Sequence, residues 1–338
     1  MHVIRLTTPV AFIIFKRPHT TEKVFEAIRQ VKPYKLFIIA DGPRQDRPSE
    51  AEKCEATRAI IDRVDWDCEV LKNYSEINLG CGKRVSSGLD WVFEHVEEAI
   101  ILEDDCLPHP TFFRFCEELL ERYRYDERIG TISGQNIQFG RKRDEYSYYF
   151  SHYNHVWGWA TWKRAWKDFD LDMKKWSEIK EKGYLNNILT NTRTTYKWTK
   201  ELQSTYDAMV DGLFNVWAYQ WQLTCWMHNY LGIISNVNLI SNIGFGSEST
   251  HTSGTRSRHA NMPTEAVEFP LKHPPYMIRH LQADNFTQKT LFSYLHASLL
   301  QRFIWKMQKV LEDRYSKSLQ RNLLFCCTST DKKVELRR

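Results

Sequence analysis

The sequence predicts an α/β fold, Rossmann-like, with a mostly parallel central sheet flanked by helices, and three observations lead there. Over the first 130 residues short apolar runs alternate with longer amphipathic segments, the signature of βαβ units. Several of those runs end in polar or acidic turns, at the strand ends where open α/β sheets bind ligands. Nine of the 12 tryptophans lie between Trp157 and Trp226, so an aromatic-rich second half follows the alternating first half.

Pro9–Phe15 reads as the first strand and Lys16-Arg17-Pro18 as the turn after it. Thr20-Thr21-Glu22 supplies cap residues and an acidic first turn for a helix to Gln30, stopped by Lys32-Pro33. Leu36–Ala40 is a second strand that breaks into Asp41-Gly42-Pro43-Arg44. A helix over Glu50–Val64, a strand over Cys68–Asn73 and a helix from Gly80 to Val96 come next. Ala99–Leu102 is a buried fourth strand ending in Glu103-Asp104-Asp105. Phe112, Cys116, Leu119 and Tyr123 then repeat at helical spacing, and Ile129–Ser133 is a further strand.

The second half begins after the polar loop Gln138–Asp144. Asp172–Val210 reads as mainly helical, Trp217–Asn229 as a helix and Ile233–Ile240 as a strand. Ser247–Pro275 is polar, carries Arg256 and Arg258, and reads as a mobile loop or lid. Leu291–Leu311 has an amphipathic helical pattern before a charged tail. The organisation expected is therefore an alternating α/β half over 1–138, an aromatic-rich half over 139–290 with a lid at 247–275, and a C-terminal helix and tail over 291–338.

At 338 residues, 42% hydrophobic and 26% charged, the chain has globular composition and length enough for an extended core. The 47 basic groups barely exceed the 42 acidic ones, which excludes nucleic acid as the main partner. No apolar stretch approaches the ~20 residues of a membrane span. The N-terminal apolar run is too short for a signal peptide, so a cytoplasmic location is expected, with peripheral contact at the inner membrane face left open. The eight cysteines form no C-x-x-C pair and read as reduced thiols.

Three successive carboxylates at a strand end are the most informative local feature. They repel one another unless a cation is shared, and hard oxygens suit Mn²⁺ or Mg²⁺ together with substrate phosphates; a solvated acidic turn is the competing reading. Asp41, at the end of another strand, converges on the same sheet edge. Backbone N–H groups of Gly80-Cys81-Gly82-Lys83 at a helix start, and the side chains of Lys16 and Arg17, are candidate phosphate contacts, against ordinary turns. His251 is a candidate metal ligand or phosphate contact, against an exposed loop histidine. No His-Glu-x-x-His pair and no Gly-x-Ser-x-Gly elbow occurs.

Asn78-Leu79-Gly80-Cys81-Gly82-Lys83, Ile101-Leu102-Glu103-Asp104-Asp105-Cys106-Leu107-Pro108 with Phe112-Phe113, Ile132-Ser133-Gly134-Gln135-Asn136 and Trp157-Gly158-Trp159-Ala160-Thr161-Trp162 together resemble bacterial glycosyltransferases of the GT-A fold. The same order of motifs is similar, more distantly, to the N-acetylglucosaminyltransferase I and O-mannose N-acetylglucosaminyltransferase group. The resemblance spans about Pro9 to His251 and implies that 1–138 is a nucleotide-sugar-binding half and 139–290 an acceptor-binding half. It implies that Asp41 holds the nucleotide base, Asp104 the ribose, and Asp105 a Mn²⁺ or Mg²⁺ ion bridging the donor diphosphate. Glu103 would orient the donor sugar, and Trp157-Gly158-Trp159 would wall the sugar and acceptor pocket.

The resemblance further implies inverting transfer from a UDP-sugar, most plausibly UDP-N-acetylglucosamine, to a hydroxyl of a glycan, lipid-linked sugar or peptide. Its general base would follow the first tryptophan of a Trp-x-x-x-Trp segment. Here that segment is Trp217-Ala218-Tyr219-Gln220-Trp221, and a methyl group accepts no proton. Losing a positioned base lowers a rate by roughly 10²–10⁴. Two readings stay open: an enzyme whose base was replaced at position 218, and a non-catalytic nucleotide-sugar or glycan-binding protein. A Mg²⁺-dependent phosphoryl transferase would explain the carboxylates but not the tryptophans, and no phosphate loop accompanies it.

Overall fold

Five consecutive apolar residues, Val10–Ile14 (β1), are all buried in the computed structural model, which describes residues 5–189, 191–212, 216–245 and 257–290. Pro18 then opens α1 (Pro18–Val31), where a missing N–H is harmless. The alternation continues through β2 (Lys35–Ala40), α2 (Ser49–Ala59) with a 3₁₀ turn over Ile60–Arg63, β3 (Glu69–Tyr74), α3 (Cys81–His95) and β4 (Glu98–Glu103). Next come β5 (Cys106–Pro108), α4 (Thr111–Arg122), β6 (Ile129–Ser133), β7 (Tyr148–Ser151) and β8 (Trp159–Trp162). Five helices follow: α5 (Lys163–Trp166), α6 (Trp176–Glu181), α7 (Leu185–Ile188), α8 (Thr192–Val210) and α9 (Ala218–Met227). The described elements end with β9 (Leu231–Ser235), β10 (Ile240–Asn242) and α10 (Leu281–Thr290). Residues Met1–Leu291 form one unit, and a second, Phe292–Arg338, lies outside the described residues.

The main sheet runs β3-β2-β1-β4-β8-β6-β9-β7. Six of these eight strands share one direction, and β8 and β7 oppose it. The expected mostly parallel α/β fold is therefore the observed one. The chain steps outward from β1 to β3 and then returns to place β4 on the other side of β1. Adjacent carboxyl ends whose following connections diverge leave a crevice there, the place where such sheets bind ligands.

Period-two alternation divides the core into two layers. Val10, Phe12, Ile14, Ile100, Leu102, Ala160 and Trp162 face one layer with Phe112, Phe115, Cys116 and Leu119 of α4. Ala11, Ile13, Ala99, Ile101 and Trp159 face the other with Val85, Leu89 and Val92 of α3 and Trp221 and Cys225 of α9. Both faces of the sheet are thus covered, as parallel strands without polar alternation require. Among the described residues no helix is long and apolar enough to cross a membrane.

Several sequence expectations need correction. The segment Asp172–Val210 is mainly helical as expected but divides into three helices: Gly183 adopts φ 63°, and the Asn191 side chain caps α8 by accepting from Arg193 N (3.0 Å) and Thr194 N (3.1 Å). Ile233–Ile240 is two strands in two sheets, β10 pairing with β5 rather than continuing β9. β5, β7, β8 and α10 were not anticipated. Of the expected lid, residues 257–275 are tied down: Asn261 N donates to Asn242 O (2.9 Å), Glu265 N to Asn238 O (2.9 Å) and Val267 N to Thr111 Oγ1 (3.2 Å). Met262, Val267 and Leu271 are buried and supply the apolar anchors. Residues 246–256 and the expected helix Leu291–Leu311 lie outside the described residues.

Helix α10 docks through a buried carboxylate. Asp284 accepts from Ser151 Oγ (2.6 Å) and His152 N (3.3 Å). Burial pushes its pKa from the ordinary 3.8 up to about 6, so the folded chain favours the neutral acid. That preference is fully present below the unfolded value and is lost as pH rises through about 6. Between pH 4 and 7 the wild-type chain should lose roughly 2–3 kcal/mol from this group, and Asp284→Asn should flatten that slope in urea unfolding. Parallel pH profiles for the two proteins would rule the assignment out.

Candidate functional site

The crevice between β1 and β4 holds a cavity of ≈ 170 Å³ lined by Phe15, Arg17, Asp41, Arg44, Asn78, Gly80, Cys81, Arg84, Glu103, Asp104, Asp105, Trp157 and Asn242, among others. Its centre is an ion triad. Arg17, immediately before α1, pairs through Nη2 with Asp104 and through Nη1 with Asp105 Oδ2 (2.7 Å). The other Asp104 oxygen accepts from Phe15 N (3.2 Å), tying the end of β4 to the end of β1. Burial opposes charge on Arg17, but Asp104 and Asp105 outweigh it and raise the guanidinium's pKa. Half-buried Glu103 is pushed up to about 8 by burial and by the charges of Asp105 and Asp104, so near neutral pH it is a protonated acid able to donate a hydrogen bond.

The β5–β10 ribbon closes one wall. Ile243 N donates to Asp105 O (2.8 Å), bringing Gly244 onto the ion triad. A Cβ there would sit 2.1 Å from Asp105 Oδ2 and 2.6 Å from Arg17 Nη1, so only glycine fits. Trp157 meets Phe245 edge to face at 5.9 Å.

Asp41 plays a different part from Asp104 and Asp105. Its Oδ1 accepts from Gly42 N and Leu79 N (both 2.9 Å), and its Oδ2 from Asn78 Nδ2 and Gly80 N (both 3.0 Å). The carboxylate therefore clamps the loop entering α3, where Gly80 takes φ 79°. Burial nonetheless raises its pKa.

The cavity brings together Arg17, Asp41, Gly80, Cys81, Glu103, Asp104, Asp105 and Trp157 of the residues expected from sequence. It does not gather the others. Lys16 Nζ is 2.5 Å from Glu50 Oε1, which Arg44 also grips, and that arginine holds the Glu50 carboxyl down at about 2. Lys83 is exposed in the first turn of α3. Trp159 points to the opposite layer, 1% exposed and stacked on Trp217 at 5.6 Å, so its ring offers nothing to a donor. Gly158, at φ 63°, lets the chain pass Ile240, whose Cδ1 would lie 2.2 Å from a Cβ. Ala218 is half-buried at the start of α9, with Trp217 and Trp221 anchored in the core beside it. His251 lies outside the described residues.

Sequence reasoning missed Arg44, Arg84, Asn242 and Gly244 as site residues. Arg44 follows Asp41 in a turn already placed at a strand end, which was a usable signal. Asn242 and Gly244 arrive through the unanticipated β5–β10 pairing, and nothing in their local sequence announces it.

A divalent ion fits the carboxylate pair by the chemistry of its donors. The oxygens are hard, and a cation, the Arg17 guanidinium, already stands on them. Among the described residues no group of three His, Cys, Asp or Glu could enclose a metal. An ion of the Mg²⁺ type needs only one or two carboxylates when substrate phosphates and waters complete its shell.

No family model matches the chain, and no curated protein sequence matches it. Among solved structures the chain is similar to a UDP-glucose pyrophosphorylase complexed with UDP-glucose, at 12% identity over 43% of this chain and 62% of that one, with a TM-score of 0.26. It is also similar to 4-diphosphocytidyl-2C-methyl-D-erythritol synthase from Anaerococcus prevotii DSM 20548, at 10% identity over 48% of this chain and 74% of that one, with a TM-score of 0.28. The chain thus spans less than two thirds of the first of these. At such scores the likeness carries no functional argument.

Asp41→Ala should leave several buried N–H donors without an acceptor and cost about 2–4 kcal/mol of stability, read in denaturant unfolding. A ligand contact alone predicts an unchanged midpoint in the free protein.

Proposed function

We propose that the chain binds a nucleotide sugar at the β1–β4 crevice and transfers its sugar to an acceptor hydroxyl with inversion. The observation that carries this reading is the pair of buried carboxylates with one bridging arginine, set in a cavity at the strand-order switch. UDP-N-acetylglucosamine is the donor favoured by the resemblance of the motifs, and the acceptor class is a glycan, lipid-linked sugar or peptide.

In this reading Asp105, with Asp104, would hold a Mn²⁺ or Mg²⁺ ion, which would supply positive charge for a diphosphate leaving group. Arg17 binds diphosphate oxygens, for which its planar fork is suited. Glu103, at the end of β4 on the cavity lining, hydrogen-bonds a sugar or ribose hydroxyl. Trp157 offers an aromatic face at the mouth of the cavity. The loop clamped by Asp41 keeps the start of α3 facing the phosphates.

A second reading, nucleotide-sugar binding without transfer, is favoured by Ala218, which has no proton acceptor. The two separate experimentally. If position 218 faces the acceptor hydroxyl, Ala218→Asp should raise kcat by 10²-fold or more while leaving donor affinity within about threefold, since a base acts in the transition state. No gain in transfer would favour the binding protein.

Calorimetric titration with UDP should give Mn²⁺-dependent binding, and Asp105→Ala should weaken it at least tenfold, about 1.4 kcal/mol, in a protein whose circular dichroism is unchanged. Metal-dependent UDP affinity persisting in that variant would remove Asp105 from the site.

A further inference from the structure

Arg17 already occupies the place a divalent ion would take. Its two partners are nearly inaccessible, with side chains 3% and 11% exposed, while the guanidinium is 16% exposed on the cavity wall. Its backbone is fixed: Arg17 O accepts from Thr21 N (3.0 Å) and Thr21 Oγ1 (2.8 Å) at the start of α1. Only the side chain is free to change partners. Without it, Asp104 and Asp105 would lie side by side with no cation between them, and like charges so close are unfavourable. A guanidinium and a divalent ion cannot both stand on the pair without repelling each other.

We infer that Arg17 is a placeholder cation, which holds the acidic pair in the nucleotide-free protein and releases it to a divalent ion only when a diphosphate arrives to receive the guanidinium. The inference rests on the proposed nucleotide-sugar site and adds an order to its assembly. The diphosphate supplies both the negative charge that lets two cations coexist and the planar acceptor that an arginine fork prefers. Metal and nucleotide then bind with positive coupling, and the coupling is reciprocal. A metal that bound first and alone would have to displace a buried ion pair with no compensating contact. Gly244 packs against this pair, so its backbone leaves no room for a bulkier rearrangement on that side.

The test is Mn²⁺ titration followed by electron paramagnetic resonance, first without nucleotide and then with saturating UDP. Wild-type protein should bind Mn²⁺ at least tenfold tighter when UDP is present. Arg17→Met should bind Mn²⁺ alone at least tenfold tighter than wild type does, while its UDP coupling shrinks to below threefold. Should that variant fail to fold by circular dichroism, Arg17→Lys takes its place, because an ammonium cannot bridge both carboxylates with a planar fork; an intermediate gain in metal affinity is expected. Metal binding by the folded variant no tighter than wild type, while wild-type protein binds UDP, overturns the placeholder and leaves the nucleotide-sugar reading standing. Absence of any UDP binding by wild type, with or without Mn²⁺, overturns the nucleotide-sugar reading and the inference built on it.

Discussion

One guanidinium shared by two buried carboxylates sets the terms for the rest of this structure. Arg17 leaves β1, Asp104 and Asp105 leave β4, and the pairing closes the gap between the two strands where the sheet changes its direction of winding. Three acidic residues at the end of a buried strand would otherwise be a liability. Their burial is tolerable because a cation is built in, because Phe15 N fills a further acceptor site, and because the β5–β10 ribbon brings Gly244 down as a lid with no side chain. A partner-free buried charge costs several kcal/mol, so the arginine stabilises the fold around the acidic pair.

The tryptophans show how local geometry decides between structural and functional use. In β8, Trp159 and Trp162 fall on opposite faces of the sheet by strand periodicity, so each fills one of the two core layers. Trp157 precedes the strand and the φ 63° turn at Gly158, and so packs at the edge of the core and lines the cavity. The segment Trp217–Trp221 is likewise held by buried rings, which fixes the backbone at Ala218 without supplying a reactive group there.

Much of the first half was legible because β1, β2 and β4 are nearly continuous apolar runs and α1, α3 and α4 each carry an apolar stripe. The alternation from β1 to β4 needed only local information, and so did the acidic turn that closes it. The second half was less legible for physical reasons. Tyr148–Ser151 and Cys106–Pro108 are short, and their pairing is set by residues more than 80 positions away rather than by local alternation. Asp41 illustrates the limit at the site: sequence places a carboxylate at the right strand end, but only the structure reveals that its oxygens are saturated by the loop before α3. Lys16 is similar, a basic residue beside the cavity whose charge is already committed to Glu50.

The central claim is that a nucleotide diphosphate and a divalent ion meet at the Arg17, Asp104 and Asp105 cluster. Its most direct test is a crystal structure of the chain grown with UDP and Mn²⁺, with anomalous scattering used to locate the metal. The account expects an anomalous peak bonded to the Asp105 carboxylate and to diphosphate oxygens, with the Arg17 guanidinium turned from the acidic pair onto the diphosphate. UDP bound with Arg17 still bridging Asp104 and Asp105, and no metal beside them, would contradict it.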